Sequence, residues 1–161
     1  SINEQPEHNY WKYGTSYIYF NQDNKVVTWL NNGNLQVSIG ERDYTFKNFS
    51  LGSEYIDVIK AMGTPHEVRY DSFTNQITWK YGKNTILFGI QGTVKGWMGD
   101  GSIKVQIGDK EANSPAVTIG SNKDAVIKAM GTPSSLYESD TSKFWNYGMS
   151  TIYFEIGRAH V

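Results

Sequence analysis

The chain has no cysteine in 161 residues, which excludes disulfides and thiolate metal sites and is compatible with export. Neither sign of charge prevails. Lys and Arg number 15 against 16 Asp and Glu, a formal net charge of −1. Such a balance attracts neither nucleic acid nor an anionic membrane surface, so neither is an expected partner. No apolar run approaches the ~20 residues of a spanning helix, and no membrane insertion is expected. No signal peptide is visible and the first residue is Ser1, so the chain reads as an excerpt of a longer protein.

Chemistry-bearing patterns are equally scarce. There is no G-x-S-x-G motif and no cysteine nucleophile. Of three histidines, His160 falls in the terminal segment discussed below. Only His8 and His66 remain, and isolated histidines are more often surface residues than bases. No His or carboxylate cluster has metal-ligand spacing, and no glycine-rich loop is set to cradle phosphate. Gly99-Asp-Gly-Ser102 lacks the periodic acidic ligands and closing glutamate of a calcium loop and reads as a turn. Glu54 and Asp57 read as partners of a helix dipole rather than as an acid/base pair. The expectation is a protein that is not an enzyme, with no catalytic residue, metal or cofactor.

What the chain does have is aromatics, at 14 % with 11 Tyr and 5 Trp, a β-rich composition. It also has a repeat. Gly52-Ser-Glu-Tyr-Ile-Asp-Val-Ile-Lys-Ala-Met-Gly-Thr-Pro65 returns 68 residues later as Gly120-Ser-Asn-Lys-Asp-Ala-Val-Ile-Lys-Ala-Met-Gly-Thr-Pro133. Three segments share W-x-Y-G-x-x-x-I-x-F, from Trp11 to Phe20, Trp79 to Phe88 and Trp145 to Phe154. Trp29 and Trp97, Gly33 and Gly101, and the Leu35–Gly40 and Ile103–Gly108 stretches also correspond. Self-similarity at a fixed long period marks repeated supersecondary units.

Within the unit, Ser53 or Ser121 is placed to cap a helix. Val58, Ile59 and Met62, repeated as Val126, Ile127 and Met130, fall on one helical face. Gly63 and Gly131 with Pro65 and Pro133 stop it. So short a helix must dock to persist. A variable polar loop follows, then strands. Trp79 with Tyr81 and Ile86 with Phe88 alternate about a turn at Gly82. Another strand reaches Trp97, and Ile103, Val105 and Ile107 supply a last one. The expected fold class is α+β: tandem 68-residue units of one short helix plus about four antiparallel strands, the helices on one face of an extended sheet. The corresponding divisions are a partial repeat at 8–51 with strands only, a complete repeat at 52–119, a partial repeat at 120–154, and a tail at 155–161. The tail, Glu155-Ile-Gly-Arg-Ala-His-Val161, looks like translated sequencing adaptor, the alternative being a natural strand end.

Gly-Ser-x-x-x-x-Val-Ile-x-x-Met-Gly-Thr-Pro followed by W-x-Y-G-x-x-x-I-x-F resembles the β-lactamase-inhibitor-protein-like (BLIP-like) and SmpA/OmlA-like (BamE-like) class of small bacterial α+β modules. The likeness leaves out residues 1–7 and the last seven. It implies a secreted or cell-surface bacterial protein. It transfers no inhibitor loop residues, and the lipid-anchored cysteine of an SmpA/OmlA-type lipoprotein is absent. Fold alone does not fix function.

One surface idea remains. Trp11, Tyr13, Trp79, Tyr81, Trp145 and Tyr147 recur at fixed places, joined by Tyr17, Tyr19 and Tyr153. If Ile and Phe of the shared motif face the helices, Tyr19 and Tyr153 face away. A helix-free sheet face lined with Tyr and Trp would suit glycan rings or a protein. The competing reading has Trp-x-Tyr filling the core. The functional expectation is a non-catalytic extracellular binding, adhesion or spacer module contacting a protein or cell-wall glycan. The alternative is an inhibitor of a secreted hydrolase.

Overall fold

A computed structural model describes residues 2–5 and 8–155, with side chains from Asn9 onward. His8 is therefore described in its backbone only, and all of the expected tail except Glu155 lies outside the described residues.

Eleven strands form one antiparallel sheet in unbroken chain order. They are β1 (Ile2–Gln5), β2 (His8–Tyr13), β3 (Ser16–Phe20), β4 (Val26–Leu30), β5 (Glu67–Asp71), β6 (Gln76–Tyr81), β7 (Asn84–Phe88), β8 (Val94–Met98), β9 (Ser135–Glu138), β10 (Lys143–Tyr147) and β11 (Ser150–Phe154). Helix α1 (Tyr55–Met62) lies between β4 and β5, and α2 (Lys123–Met130) between β8 and β9. The hairpins β2–β3, β6–β7 and β10–β11 turn on Gly14, Gly82 and Gly148, with φ of 61°, 61° and 67°. Each glycine is the first of two turn residues, the position where a II′ turn demands positive φ.

This corrects the expected fold class. The chain is not a series of units each made of a helix and about four strands. The described residues form a single continuous antiparallel meander of eleven strands, and among them there are two helices of eight residues each. The continuity comes from β5 and β9, which fall in segments expected to be polar loop. β5 pairs with β4 as well as β6, and β9 with β8 as well as β10. The ladders therefore cross both expected unit boundaries. The strand expected at Ile103, Val105 and Ile107 does not form; Val105 makes one isolated parallel bridge to Phe49. The serine caps also fail. Ser53 and Ser121 accept instead from the backbone N–H of Ser50 and Thr118, closing the preceding turns. The N-cap residues are Glu54, whose side chain makes no cap bond, and Asn122, whose Oδ1 accepts from the Ala125 N–H at 2.8 Å.

Cross-strand register builds the core. Trp11, Ile18, Trp29, Val68, Trp79, Ile86, Trp97, Leu136, Trp145 and Ile152 are successive partners across β2–β11, one row on one face. Val58, Ile59 and Ala61 of α1 and Val126 of α2 join the same cluster, as do Phe49 and Val105. Tyr55 of α1 stacks on Trp79 at 5.1 Å and meets Phe88 at a tilt of 40°, ring centres 4.6 Å apart. Each large side chain buried this way stabilises by about 1.5–3 kcal/mol.

All three residues of the twice-written Gly-Thr-Pro hold the helix exit in place, Gly and Pro to the sheet and Thr to the loop stretch at 39–40 or 107–108. The Gly63 and Gly131 carbonyls accept from the Tyr81 and Tyr147 hydroxyls at 2.7 and 2.9 Å. The Thr64 and Thr132 hydroxyls donate to the Gly40 and Gly108 carbonyls at 2.7 and 3.0 Å. They accept from the Ile39 and Ile107 N–H groups at 3.1 and 3.0 Å. The Pro65 and Pro133 carbonyls accept from Trp29 and Trp97 Nε1, each at 3.1 Å.

A second correspondence is reciprocal. Ser16 Oγ, fully buried, donates to Asn34 Oδ1 and accepts from the Asn32 N–H at 2.9 Å. Sixty-eight residues on, the two residue types exchange places. Asn84 Nδ2 donates to Ser102 Oγ at 2.8 Å, and Asn84 Oδ1 accepts from the Asp100 N–H at 3.1 Å.

Candidate functional site: the open sheet face

Both helices pack on the tryptophan face, so the opposite face carries no helix. The alternating residues form a second row there. Tyr10, Tyr19 and Thr28 are register partners on β2–β4. Arg69, Thr78, Leu87, Gly96, Tyr137, Phe144 and Tyr153 continue it across β5–β11.

The aromatics of this face gather at its two ends. At one end Tyr10 lies 5.7 Å from both Tyr17 and Tyr19, ring centre to ring centre, and Tyr17 and Tyr19 stack at 6.2 Å. Lys12 Nζ sits 5.8 Å over the Tyr17 ring. Burial, followed by the neighbouring Tyr17 and Tyr10 phenols and Glu67, raises the Tyr19 pKa. At the other end Tyr137 and Phe144 stack at 5.6 Å and 27°, and Phe144 meets Tyr153 at 6.1 Å. Tyr153 is 76 % exposed. Tyr10 on β2 and Phe144 on β10 are eight strand spacings apart, on the order of 40 Å. The middle of the face is polar, with Arg69 paired to the buried Glu67.

Two hollows open beside the second cluster. In the register, Gly96 stands between Leu87 and Tyr137 and interrupts the row of side chains. The neighbouring hollow holds about 390 Å³, walled by Leu87, Met98, Tyr137 and Phe144, with Lys83, Asp100, Ser135 and Asn146 supplying polar groups. The other holds about 560 Å³ and shares Tyr137 as a wall; Gln76, Lys95, Asp140 and Lys143 are among its polar lining.

Of the nine residues singled out in the sequence, Tyr17, Tyr19 and Tyr153 lie on the open face. The other six belong to the tryptophan side. Trp79 and Trp145 are 5 % and 1 % exposed and sit in the core, beyond reach of a ligand. Tyr81 and Tyr147 are half-buried, their hydroxyls committed to the Gly63 and Gly131 carbonyls. Burial raises both pKa values, that of Tyr147 to about 12. Trp11 and Tyr13, 41 % and 44 % exposed, lie at the end of the sheet away from both helices, Trp11 against Phe20 at 4.9 Å. Sequence reasoning missed Tyr10, Tyr137, Phe144, Leu87 and Gly96. The signal available was alternation: Phe144 directly precedes the core Trp145, and Tyr137 directly follows the core Leu136.

His66 Nδ1 accepts from the Gly82 N–H at 3.2 Å, a structural contact at a hairpin. Among the described residues no group of three or more His, Asp or Glu could hold a metal ion. Among them, too, no helix is long and apolar enough to cross a membrane. No family model, curated protein or solved structure matches the chain.

Proposed function

We propose that the chain is a non-catalytic binding module of a bacterial secreted or cell-surface protein, and that the helix-free sheet face is its contact surface. The observation that carries this reading is the segregation of aromatics on that face, Tyr10, Tyr17 and Tyr19 at one end and Tyr137, Phe144 and Tyr153 at the other. Aromatic rings supply large contact area at low entropic cost, and tyrosine adds a hydroxyl for directional bonding. The BLIP-like and SmpA/OmlA-like resemblance supports the compartment. The tyrosine trio beside Lys12 has the composition of a protein-binding hot spot and favours the second reading, inhibition of a secreted hydrolase.

Capture from a panel of secreted hydrolases, run beside binding to insoluble cell-wall polysaccharide, tests both. Saturable binding to either, lost in Tyr19→Ala or Tyr153→Ala while the thermal melt stays unchanged, is the expected result. Binding that survives both substitutions moves the contact off this face. Turnover of any bound ligand overturns the non-catalytic reading.

A further inference from the structure

We infer that the hollow beside Gly96 is a subsite for a neutral pyranose ring of a glycan, with the adjoining hollow across Tyr137 receiving the next sugar. The inference rests on the open-face reading and narrows it to one place and one ligand class.

A pyranose presents C–H-lined faces and a periphery of hydroxyls that both donate and accept. The hollow is divided the same way. Its wall is apolar, made by Leu87, Met98, Tyr137 and Phe144, and Tyr137 and Phe144 offer two rings within 27° of parallel. Its polar groups retain unused bonding capacity. Asn146 Oδ1 is taken by the Thr151 hydroxyl, which leaves the Asn146 amide N–H groups to donate. Ser135 Oγ accepts from the Gly99 N–H, which leaves its own proton to donate. Asp100 spends Oδ1 on the Ser102 N–H and hydroxyl, which leaves Oδ2 to accept. Donors and an acceptor thus share the hollow with an apolar wall, the combination of a few polar groups in a mostly apolar concavity that small-ligand sites use. A volume of about 390 Å³ is at the small end of such sites, which run roughly 300–1,000 Å³.

Charge selects within the class. The first hollow has one cation, Lys83, and one anion, Asp100. The second has Lys95 and Lys143 against Asp140, the Glu138 carboxylate being paired with Lys123 of α2 and bonded to Trp145 Nε1. The first hollow, beside Gly96, has no surplus positive charge to hold a uronic acid, a phosphate polymer or a nucleic acid, so a neutral sugar is favoured there. Because Tyr137 walls both hollows, its ring is the shared platform for two consecutive sugars.

The test is calorimetric titration of the chain with neutral tetrasaccharides (β-1,4-glucan, α-1,4-glucan and N-acetylglucosamine series) and a tetra-uronate control. Backbone NMR shifts locate the site. The expected result is saturable binding of a neutral tetramer, with shifts centred on residues 87, 98, 137, 144 and 146. Removal of a central aromatic anchor should weaken it about tenfold or more in Tyr137→Ala. Tyr137→Phe should keep it within about twofold, and Tyr44→Ala, an exposed ring outside both aromatic clusters of the open face, should leave it unchanged. Phe144→Ala provides an independent variant if Tyr137→Ala melts early. No neutral tetramer bound at millimolar concentration, preference for the uronate, or full affinity in both Tyr137→Ala and Phe144→Ala overturns the subsite. Hydrolase capture abolished by Tyr19→Ala, with no sugar bound, also overturns it and leaves the open-face reading standing. Absence of any ligand, protein or glycan, sinks both.

Discussion

The exchanged Ser/Asn pairs permit a demanding test of how the loop after each tryptophan strand is held. Ser16→Asn inserts two extra heavy atoms into a fully buried position that now holds a hydroxyl bonded to Asn34 and to the Asn32 N–H. Overpacking of this kind costs about 1–3 kcal/mol. Asn34→Ser removes the acceptor of the Ser16 proton and the donor to the Tyr13 carbonyl, the latter bond being 3.0 Å. Two net hydrogen bonds, one of them exposed, come to about 1–2 kcal/mol. Independent effects would sum to roughly 2–5 kcal/mol in the double variant. The double variant, however, recreates the Asn84–Ser102 arrangement, in which one amide serves both the backbone and the serine. We expect a favourable coupling of about 1–2 kcal/mol, so that the double variant is more stable than the sum allows. Recovery stays incomplete because the residue at the position of Gly99 is Asn31, and a Cβ at Gly99 would lie 3.2 Å from Asn84 Oδ1. Asn31→Gly would remove that contact but also the bonds Asn31 makes with the Gly33 N–H and with the Leu35 N–H and carbonyl, so it does not belong in the cycle. Urea unfolding followed by tryptophan fluorescence gives all four free energies. Coupling below about 0.5 kcal/mol would refute the claim that the two arrangements are interchangeable solutions.

Three further outcomes are expected. Thr64→Val and Thr132→Val each remove one donated and one accepted bond to the 35–40 or 103–108 stretch and should each cost about 1–3 kcal/mol by thermal or urea unfolding. Stability should decline at high pH: the Tyr81 and Tyr147 pKa values are raised by burial, so above pH ~10 the unfolded chain loses phenolic protons that the folded chain keeps. For Tyr147 the decline runs from there through about 12. Tyr81→Phe with Tyr147→Phe should flatten that part of the melting-temperature profile; an unchanged slope would place the titration elsewhere. Helix α1 buries Val58, Ile59 and Ala61 where α2 buries only Val126, so α2 amides should exchange with deuterium faster than those of α1.

The sequence shows the local pieces more plainly than the way they join. Trp-x-Tyr-Gly places its three hairpins because alternation and a turn glycine are neighbour-level signals, and Val58 and Val126 are on buried helix faces for the same reason. The joining strands are obscured because Glu67-Val-Arg-Tyr-Asp71 carries three charges in five residues and Ser135-Leu-Tyr-Glu138 is only four long. Their pairing energy comes from strands on both sides, a property of the assembled sheet. Leu35 to Gly40 misleads in the opposite direction. It alternates like a strand, yet its Ile39 N–H is taken by the Thr64 hydroxyl rather than by a ladder. The outward-facing Tyr19 and Tyr153 follow from alternation within one strand. The Tyr137–Phe144 pairing and the hollow beside Gly96 depend on cross-strand register, which one segment read alone does not contain.

The uninterrupted strand order has a kinetic consequence. Eight of the ten ladders join strands separated by five residues or fewer, so they can zip up locally in microseconds. The other two, β4–β5 and β8–β9, must each close a 36-residue excursion, 31–66 and 99–134. By loop-entropy scaling each closure costs about 2.5 kcal/mol more than a two-residue turn. Refolding should therefore pass through three preassembled ribbons, with helix docking at the two seams setting the rate.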